Sequence, residues 1–212
     1  MQLYEKYRPQ TLDDFIGQDR IKKQLSRIMA RPDFDRDALL FTGISGSGKT
    51  SLARIIGNLL VETDQALTEI DGDACHIGMI NTIRDSLWLC PARGKWKVYI
   101  VNEAHAMSRP AVQGFLTLLE NLPRYRLFIF TSTENLESDL FGNFSSPFAR
   151  RCKCFQFSNQ GLAQLFADRA REIAQIEGLN GKPDQAYLRL VQACKNNFGM
   201  VLQKIDQGEM ME

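Results

Sequence analysis

Residues 43–50 read Gly-Ile-Ser-Gly-Ser-Gly-Lys-Thr, and no other segment constrains the fold of this chain as much. The octapeptide follows an apolar run at residues 38–41, typical of a buried strand, and precedes a stretch with helical periodicity. The apolar residues of that helix are Leu52, Ile55, Ile56, Leu59 and Leu60. A strand, a glycine-rich loop and a helix in this order can surround phosphate oxygens with backbone N–H groups. The spacing therefore predicts a loop that binds nucleotide phosphates, with a chance Gly- and Ser-rich loop as the alternative.

Each residue type in this loop suits one part of a nucleotide with its metal ion. Lys49 is expected to reach the β and γ phosphates, and the Thr50 hydroxyl is the group that such loops place on Mg²⁺. ATP and Mg²⁺ are therefore the expected ligands. The loop residues predicted to contact the nucleotide are Gly43, Ser45, Gly46, Ser47, Gly48, Lys49, Thr50 and Ser51.

The composition excludes several classes of protein. With 26 basic and 25 acidic residues among 212, net charge gives no argument for a nucleic-acid partner. The five cysteines include no Cys-x-x-Cys pair; Cys152 and Cys154 lie nearest each other, and reduced thiols without zinc are expected. The N-terminus is charged and no run of 18 apolar residues follows, so we expect a cytoplasmic protein with no membrane partner.

Strand and helix patterns alternate through the first three quarters of the chain. Predicted strands lie at residues 38–41, 67–70, 96–101, 126–131 and 154–157, with helices predicted at 79–89 and 109–120. This alternation predicts an α/β fold, a parallel sheet with helices on both faces, whose strands are apolar on both sides. Only helices are predicted after it, at 162–176, 185–193 and 200–207. We expect a nucleotide-binding α/β domain at 1–157 and a small three-helix lid domain at 158–212.

A second nucleotide motif follows the strand at residues 97–101. Phosphate-loop ATPases normally carry two acidic residues at such a strand end, but here the pair is Asn102 and Glu103. Asn102 can still accept a hydrogen bond from a metal-bound water, yet it brings no negative charge to Mg²⁺, so weaker metal binding and slower hydrolysis are expected. Glu103 is the candidate base that activates water, with a solvated strand-end acid as the alternative.

Several collinear motifs together resemble one family over nearly the whole chain. They are residues 5–9 (Glu-Lys-Tyr-Arg-Pro), 11–18 (Thr-Leu-Asp-Asp-Phe-Ile-Gly-Gln), the phosphate loop, 69–71 (Glu-Ile-Asp), 97–105, 115–120, 128–133 and 151–152. In this order they resemble the AAA+ clamp-loader ATPases, and are most similar to replication factor C motor subunits and the bacterial polymerase III gamma/tau subunit. The resemblance implies the AAA+ P-loop fold.

The resemblance also assigns roles outside the phosphate loop. Arg8 and Pro9, with the backbone of Ile16 and Gly17, match the adenine pocket, although residues 7–9 alone fit an ordinary turn. Thr133 matches the first sensor, which helps to place the attacking water, although a strand threonine is most often structural. Arg151 matches the arginine finger that enters a neighbouring subunit's ATP site and therefore implies an oligomer.

Four departures from the family pattern limit the resemblance. Asn102 replaces the usual Asp, and Gly199 stands where the lid carries its second sensor arginine. The chain ends at Glu212 soon after the lid, so the family's collar domain is expected on another chain or in a different assembly. The zinc insert of bacterial gamma/tau is also missing.

Surfaces for DNA and clamp follow from the resemblance. Candidates for DNA phosphates are Arg84, Lys95 and Arg109, with ordinary solvated surface as the alternative. Residues 87–89 (Leu-Trp-Leu) lie where the family docks on the sliding clamp, so Trp88 is either an exposed anchor or a core residue.

The resulting hypothesis is an ATPase subunit that helps to load a sliding clamp onto primer-template DNA, with other AAA+ subunits as partners. The alternatives are a non-hydrolysing, ATP-binding switch subunit and an AAA+ remodeller of replication or recombination. A replisome location in a bacterium or phage, or a nuclear one in a eukaryote, is implied.

Overall fold

The computed structural model describes residues 1–133 and 147–211, and the chain divides into two compact units. The sheet unit comprises Arg20–Gly43 and Lys49–Phe157, and the helical unit comprises Met1–Asp19, Ile44–Gly48 and Ser158–Glu212. Residues 134–146 and Glu212, which fall in the two predicted domains, lie outside the described residues. The predicted division into domains at 1–157 and 158–212 stays a prediction.

Within the part of the chain that the structure describes, the sheet unit contains five parallel strands in the order β2-β3-β4-β1-β5. The strands are β1 (Arg36–Thr42), β2 (Leu67–Asp71), β3 (Lys97–Asn102), β4 (Arg126–Ser132) and β5 (Lys153–Gln156). Because all strands are parallel, the ends of β1, β3 and β4 meet at one edge, next to the phosphate loop. The predicted P-loop α/β fold is confirmed.

Helices cover both faces of this sheet. The sheet unit carries α2 (Asp19–Met29, all but its first residue), α3 (Lys49–Leu60), α4 (Ile77–Leu87), α5 (Arg109–Glu120) and α6 (Pro147–Arg151). Leu40, Tyr99 and Phe128 form one core with α4, α5 and α6. Alternate residues such as Leu39 and Ile100 point to the other face, where α3 packs against β3 and β4. Our sequence interpretation had no helix at α2.

Strand position in the sheet explains a difference from the prediction of strands buried on both sides. The central strands β1, β3 and β4 are largely buried, whereas β2 and β5 are partly exposed along most of their length. The strand order places β2 and β5 at the two edges, where one side has no neighbouring strand.

The helical unit has its own core. Its helices are α1 (Leu3–Lys6), α7 (Ala163–Ile176), α8 (Asp184–Ala193) and α9 (Phe198–Asp206), so all three helices predicted after residue 158 are present. Leu3 joins residues such as Ile173, Tyr187 and Val201 in one apolar cluster. Glu177 also holds the N-terminal segment, because its carboxylate accepts hydrogen bonds from Lys6 (2.7 Å) and from the Tyr7 hydroxyl.

Among the described residues, no helix combines the length and apolar character that crossing a membrane requires.

Candidate nucleotide-binding site

The phosphate loop connects β1 to α3, as predicted. Gly43 has φ 138°, and a Cβ there would lie 2.5 Å from the carbonyl oxygen of Phe157. Only glycine fits this position without strain. Lys49 begins α3 with its side chain folded back, and its Nζ donates to the Gly43 carbonyl at 2.7 Å. Lys49 is 5% exposed, and burial lowers its pKa to about 8. A phosphate would supply the negative partner that this buried ammonium favours.

Three polar side chains meet at the carboxyl edge of the sheet. The Asn102 carboxamide oxygen, at the end of β3, accepts from the Thr50 hydroxyl at 3.0 Å and from the Thr131 hydroxyl at 3.2 Å. Asn102 is 8% exposed and Thr131 is fully buried. The two residues predicted to bind Mg²⁺, Thr50 and Asn102, are therefore in direct contact.

An acidic side chain from the edge strand β2 completes this cluster. Glu69 Oε1 accepts from Asn102 Nδ2 at 2.5 Å. The same carboxylate receives two hydrogen bonds from Arg54 of α3, at 2.7 and 2.8 Å. Position 102 itself has no carboxylate, but the Glu69 carboxylate is hydrogen-bonded to Asn102 and is paired with Arg54.

Glu103 occupies an unusual backbone conformation, with φ 46° and ψ 47°. Its N–H donates to Thr131 Oγ1 at 3.3 Å. Its carboxylate accepts from the Thr133 hydroxyl at 3.1 Å and lies 3.4 Å from His105 Nδ1. The predicted base and the predicted sensor, Glu103 and Thr133, are therefore brought together.

The polar side chains of the sheet unit fit a nucleoside triphosphate with Mg²⁺. Mg²⁺ prefers oxygen ligands and retains several waters, and the Thr50 hydroxyl and Asn102 oxygen provide two neutral oxygens. Lys49 supplies a positive charge for phosphate, and Glu103 a half-exposed carboxylate. Within the described residues, no group of three or more His, Cys, Asp or Glu forms a metal site.

The remaining loop residues belong to the helical unit, except Ser51, which is half-buried in α3. Ser45 and Gly46 are exposed, Gly48 is half-buried, and the buried Ser47 hydroxyl donates to Ile44 O at 2.8 Å. Gly46 has φ 74°, and a Cβ there would overlap the carboxamide of Asn197. Asn197 caps α9 by accepting from Met200 N at 3.2 Å, and Gly199 lies in the first turn of that helix.

The residues assigned to the adenine pocket also lie in the helical unit. Arg8, Pro9 and Ile16 are half-buried, and Ile16 packs against the core of α7–α9. Gly17 is buried beside Leu162. Their role in binding adenine stays a prediction.

Arg151, the predicted finger, is engaged within its own chain. Its guanidinium pairs with the Glu120 carboxylate and donates to Pro147 O at 2.9 Å. Its side chain remains 31% exposed. To act in a neighbouring subunit, Arg151 would have to leave Glu120 and bind a phosphate of that subunit's nucleotide instead.

The predicted clamp segment presents an exposed aromatic side chain. Trp88 is 70% exposed, so the core alternative for this residue is wrong, whereas Leu87 is buried. Trp88 borders a groove of about 540 Å³ between α4 and α5. The candidates for DNA phosphates, Arg84, Lys95 and Arg109, are all exposed.

Sequence reasoning missed three side chains of the site, Glu69, His105 and Thr131, and also Arg54, the ion-pair partner of Glu69. Glu69 and His105 stand in motifs that carried the resemblance, and Thr131 ends a predicted strand, but their contacts depend on the strand register.

Comparisons with known proteins give the family and the fold of the chain. Residues 7–121 match the family model described as the Holliday junction DNA helicase RuvB P-loop domain. The chain is 29% identical to the DNA polymerase III subunit gamma/tau of Mycoplasma pneumoniae, covering 97% of this chain and 32% of the relative. It is 30% identical to DNA polymerase III subunit tau of Escherichia coli, with 97% and 34% covered. The chain thus spans about a third of the length of these relatives.

Solved structures give the same fold. The Thermotoga maritima RuvB Holliday junction branch migration motor superposes with a TM-score of 0.68 at 22% identity, covering 95% of this chain and 64% of that one. A variant of that RuvB gives a TM-score of 0.72. With its phosphate loop, its parallel sheet and a family model matching more than half of its residues, the chain belongs to the RuvB-type P-loop family of AAA+ ATPases, and its curated homologues include gamma/tau and tau subunits of DNA polymerase III.

Proposed function

We propose that this chain is an ATP-binding and ATP-hydrolysing subunit that helps to load a sliding clamp onto primer-template DNA. The observation that carries the proposal is the cluster at the carboxyl edge of the sheet. There Thr50, Asn102 and Thr131 are linked by hydrogen bonds, and Thr131 also fixes the backbone of Glu103. The homologues named as gamma/tau subunits support the replication role.

In this proposal each side chain acts on one part of ATP. Lys49 binds the β and γ phosphates, and Thr50 with Asn102 holds Mg²⁺. The ion, when bound, neutralises phosphate charge and keeps the transferred group in line. Glu103 accepts a proton from the attacking water, and it can do so while it keeps the Thr133 hydroxyl on Oε2, because a carboxylate accepts hydrogen bonds at both oxygens.

Arg151 acts on the ATP of a neighbouring subunit. Its present partner, Glu120, would hold the guanidinium until a neighbouring γ-phosphate replaces the carboxylate. Arg8, Pro9, Ile16 and Gly17 would bind adenine.

The outer surface would bind the replication partners. Trp88 would anchor the chain on the clamp, because an exposed aromatic beside a groove is a common hot spot. Arg84, Lys95 and Arg109 would bind backbone phosphates of DNA. The assembly would work in the cytoplasm, at the replisome.

The test is ATP turnover by the assembled native protein, with and without primed DNA and its clamp. The proposal expects turnover that both partners stimulate, and its loss in Lys49→Ala and Glu103→Gln. Glu103→Gln should keep ATP binding, because it leaves Lys49 and Thr50 in place. Turnover that persists in Glu103→Gln would contradict the role of this carboxylate.

A second candidate is an ATP-binding subunit that does not hydrolyse. Asn102 in place of an acid and the Arg151–Glu120 pair favour it. It predicts tight ATP binding and turnover at background level in every combination of DNA and clamp.

A third candidate is a motor on recombination DNA. The match to the RuvB family model favours it. Stimulation by a four-way junction, in place of primed DNA with clamp, would support this candidate against clamp loading.

A further inference from the structure

The carboxamide of Asn102 can face the metal position in two ways, and only one is useful. With its oxygen towards Thr50, it can accept from a hydroxyl or from metal-bound water. Rotated by half a turn, it would present an NH₂ group, which repels a cation. An asparagine at this position therefore needs a neighbour that fixes its orientation.

Glu69 is such a neighbour because an ionised carboxylate only accepts hydrogen bonds. Its Oε1 lies 2.5 Å from Asn102 Nδ2, so that contact is possible only with the amide nitrogen towards Glu69. Arg54 donates to both oxygens of Glu69, at 2.7 and 2.8 Å.

The opposite side of the amide has complementary partners. Thr131 Oγ1 accepts from the Glu103 N–H, which leaves the threonine proton for the Asn102 oxygen. The Thr50 hydroxyl donates to the same oxygen. A hydroxyl alone could turn to suit either orientation, so Glu69 is the partner that selects between them.

We infer that Glu69 is a positioning residue that turns the Asn102 oxygen towards Thr50 and the Mg²⁺ position. This inference rests on the proposed ATP site and assigns Glu69 a task that a carboxylate at position 102 would not require. With Asn102→Asp alone, the new carboxylate would contact the carboxylate of Glu69. The double variant Glu69→Gln/Asn102→Asp, called the exchange variant, restores a donor and an acceptor and places the negative charge next to Thr50.

The experiment measures the affinity of a fluorescent ATP analogue in Mg²⁺ and in EDTA. Glu69→Gln can present either end of its amide, so we expect affinity in Mg²⁺ to fall about tenfold and affinity in EDTA to change less than about twofold. Arg54→Gln is the matched control, because it removes the same ion pair but keeps the carboxylate on Asn102. It should retain the gain in affinity that Mg²⁺ gives the native chain.

Thermal unfolding in EDTA supplies a second readout that needs no nucleotide. Asn102→Asp should lower the melting temperature, and adding Glu69→Gln should restore most of the loss, which is a strongly non-additive pair.

Two results would overturn the inference. One is an unchanged Mg²⁺ effect in Glu69→Gln, and the other is additive destabilisation in the exchange variant. A native chain that binds no ATP analogue in either buffer would instead contradict the proposed function.

Discussion

Substitution of Gly46 by alanine tests the packing of the phosphate loop inside the helical unit. Gly46 has φ 74°, and a Cβ there would overlap the side chain of Asn197. That side chain cannot move without cost, because its oxygen accepts from Met200 N and caps α9. Gly46→Ala is therefore expected to strain the backbone and to break a helix cap.

The two costs can be assigned separate magnitudes. A left-handed backbone costs an L-residue about 1–2 kcal/mol, and loss of an Asn cap costs about 1 kcal/mol. Gly46→Ala should then lower the free energy of unfolding by about 2–3 kcal/mol. Gly161 is the matched control: its φ is also 74° but nothing lies within 4 Å of its Cβ position, so Gly161→Ala should show only the backbone cost.

Urea denaturation followed by far-UV circular dichroism measures these values. Both tryptophans lie in the sheet unit, so their fluorescence is a poorer reporter of the helical unit. In an Asn197→Ala background, where the cap is already lost, Gly46→Ala should cost no more than Gly161→Ala. An equal loss for Gly46→Ala with and without Asn197 would refute the reasoning.

Three further predictions concern charge and surface. Burial lowers the pKa of Lys49 to about 8, so above that pH the unfolded chain binds more protons than the folded chain. The free energy of unfolding contributed by Lys49 should therefore increase between pH 8 and about 10. Urea titrations should show this increase in the native chain and not in Lys49→Met. Trp88→Ala should change the free energy of unfolding by less than about 0.5 kcal/mol, yet weaken clamp binding in a pull-down titration by about 30-fold. A large loss of stability would contradict a surface role for Trp88. Arg151→Ala should lower turnover of the assembled protein by about 10³, whereas Glu120→Gln, which frees the guanidinium, should not lower it; equal losses in steady-state assays would make the pair merely structural.

Local signals explain why much of the fold could be predicted. The bounds of α5, Arg109–Glu120, agree with the prediction because Ser108 caps the helix and a proline fills its first turn. All five strands were found because their apolar runs are separated by strong loop signals. The helix α2 was missed although Ile21 and Leu25 give it an amphipathic face.

The site could be predicted only as far as single motifs reach. Thr50 and Asn102 were each identified from a motif of its own, and the structure shows that the two side chains are in contact. Glu69 was missed because its contact with Asn102 depends on the register of β2 on β3, which pairs Glu69 with Ile100. The Arg151–Glu120 pair joins α6 to the end of α5, a packing detail without a sequence pattern.

The most direct test of the central claim is an equilibrium titration of the native chain with a fluorescent ATP analogue in Mg²⁺, beside Lys49→Ala and Lys182→Ala. Lys182 is the control because its Nζ also donates to a backbone carbonyl, Glu209 O at 2.8 Å, but it is exposed. If Lys49 and the carboxyl edge of the sheet form one ATP site, Lys49→Ala should bind at least about tenfold more weakly and Lys182→Ala like the native chain. Equal affinity in all three proteins would contradict the account.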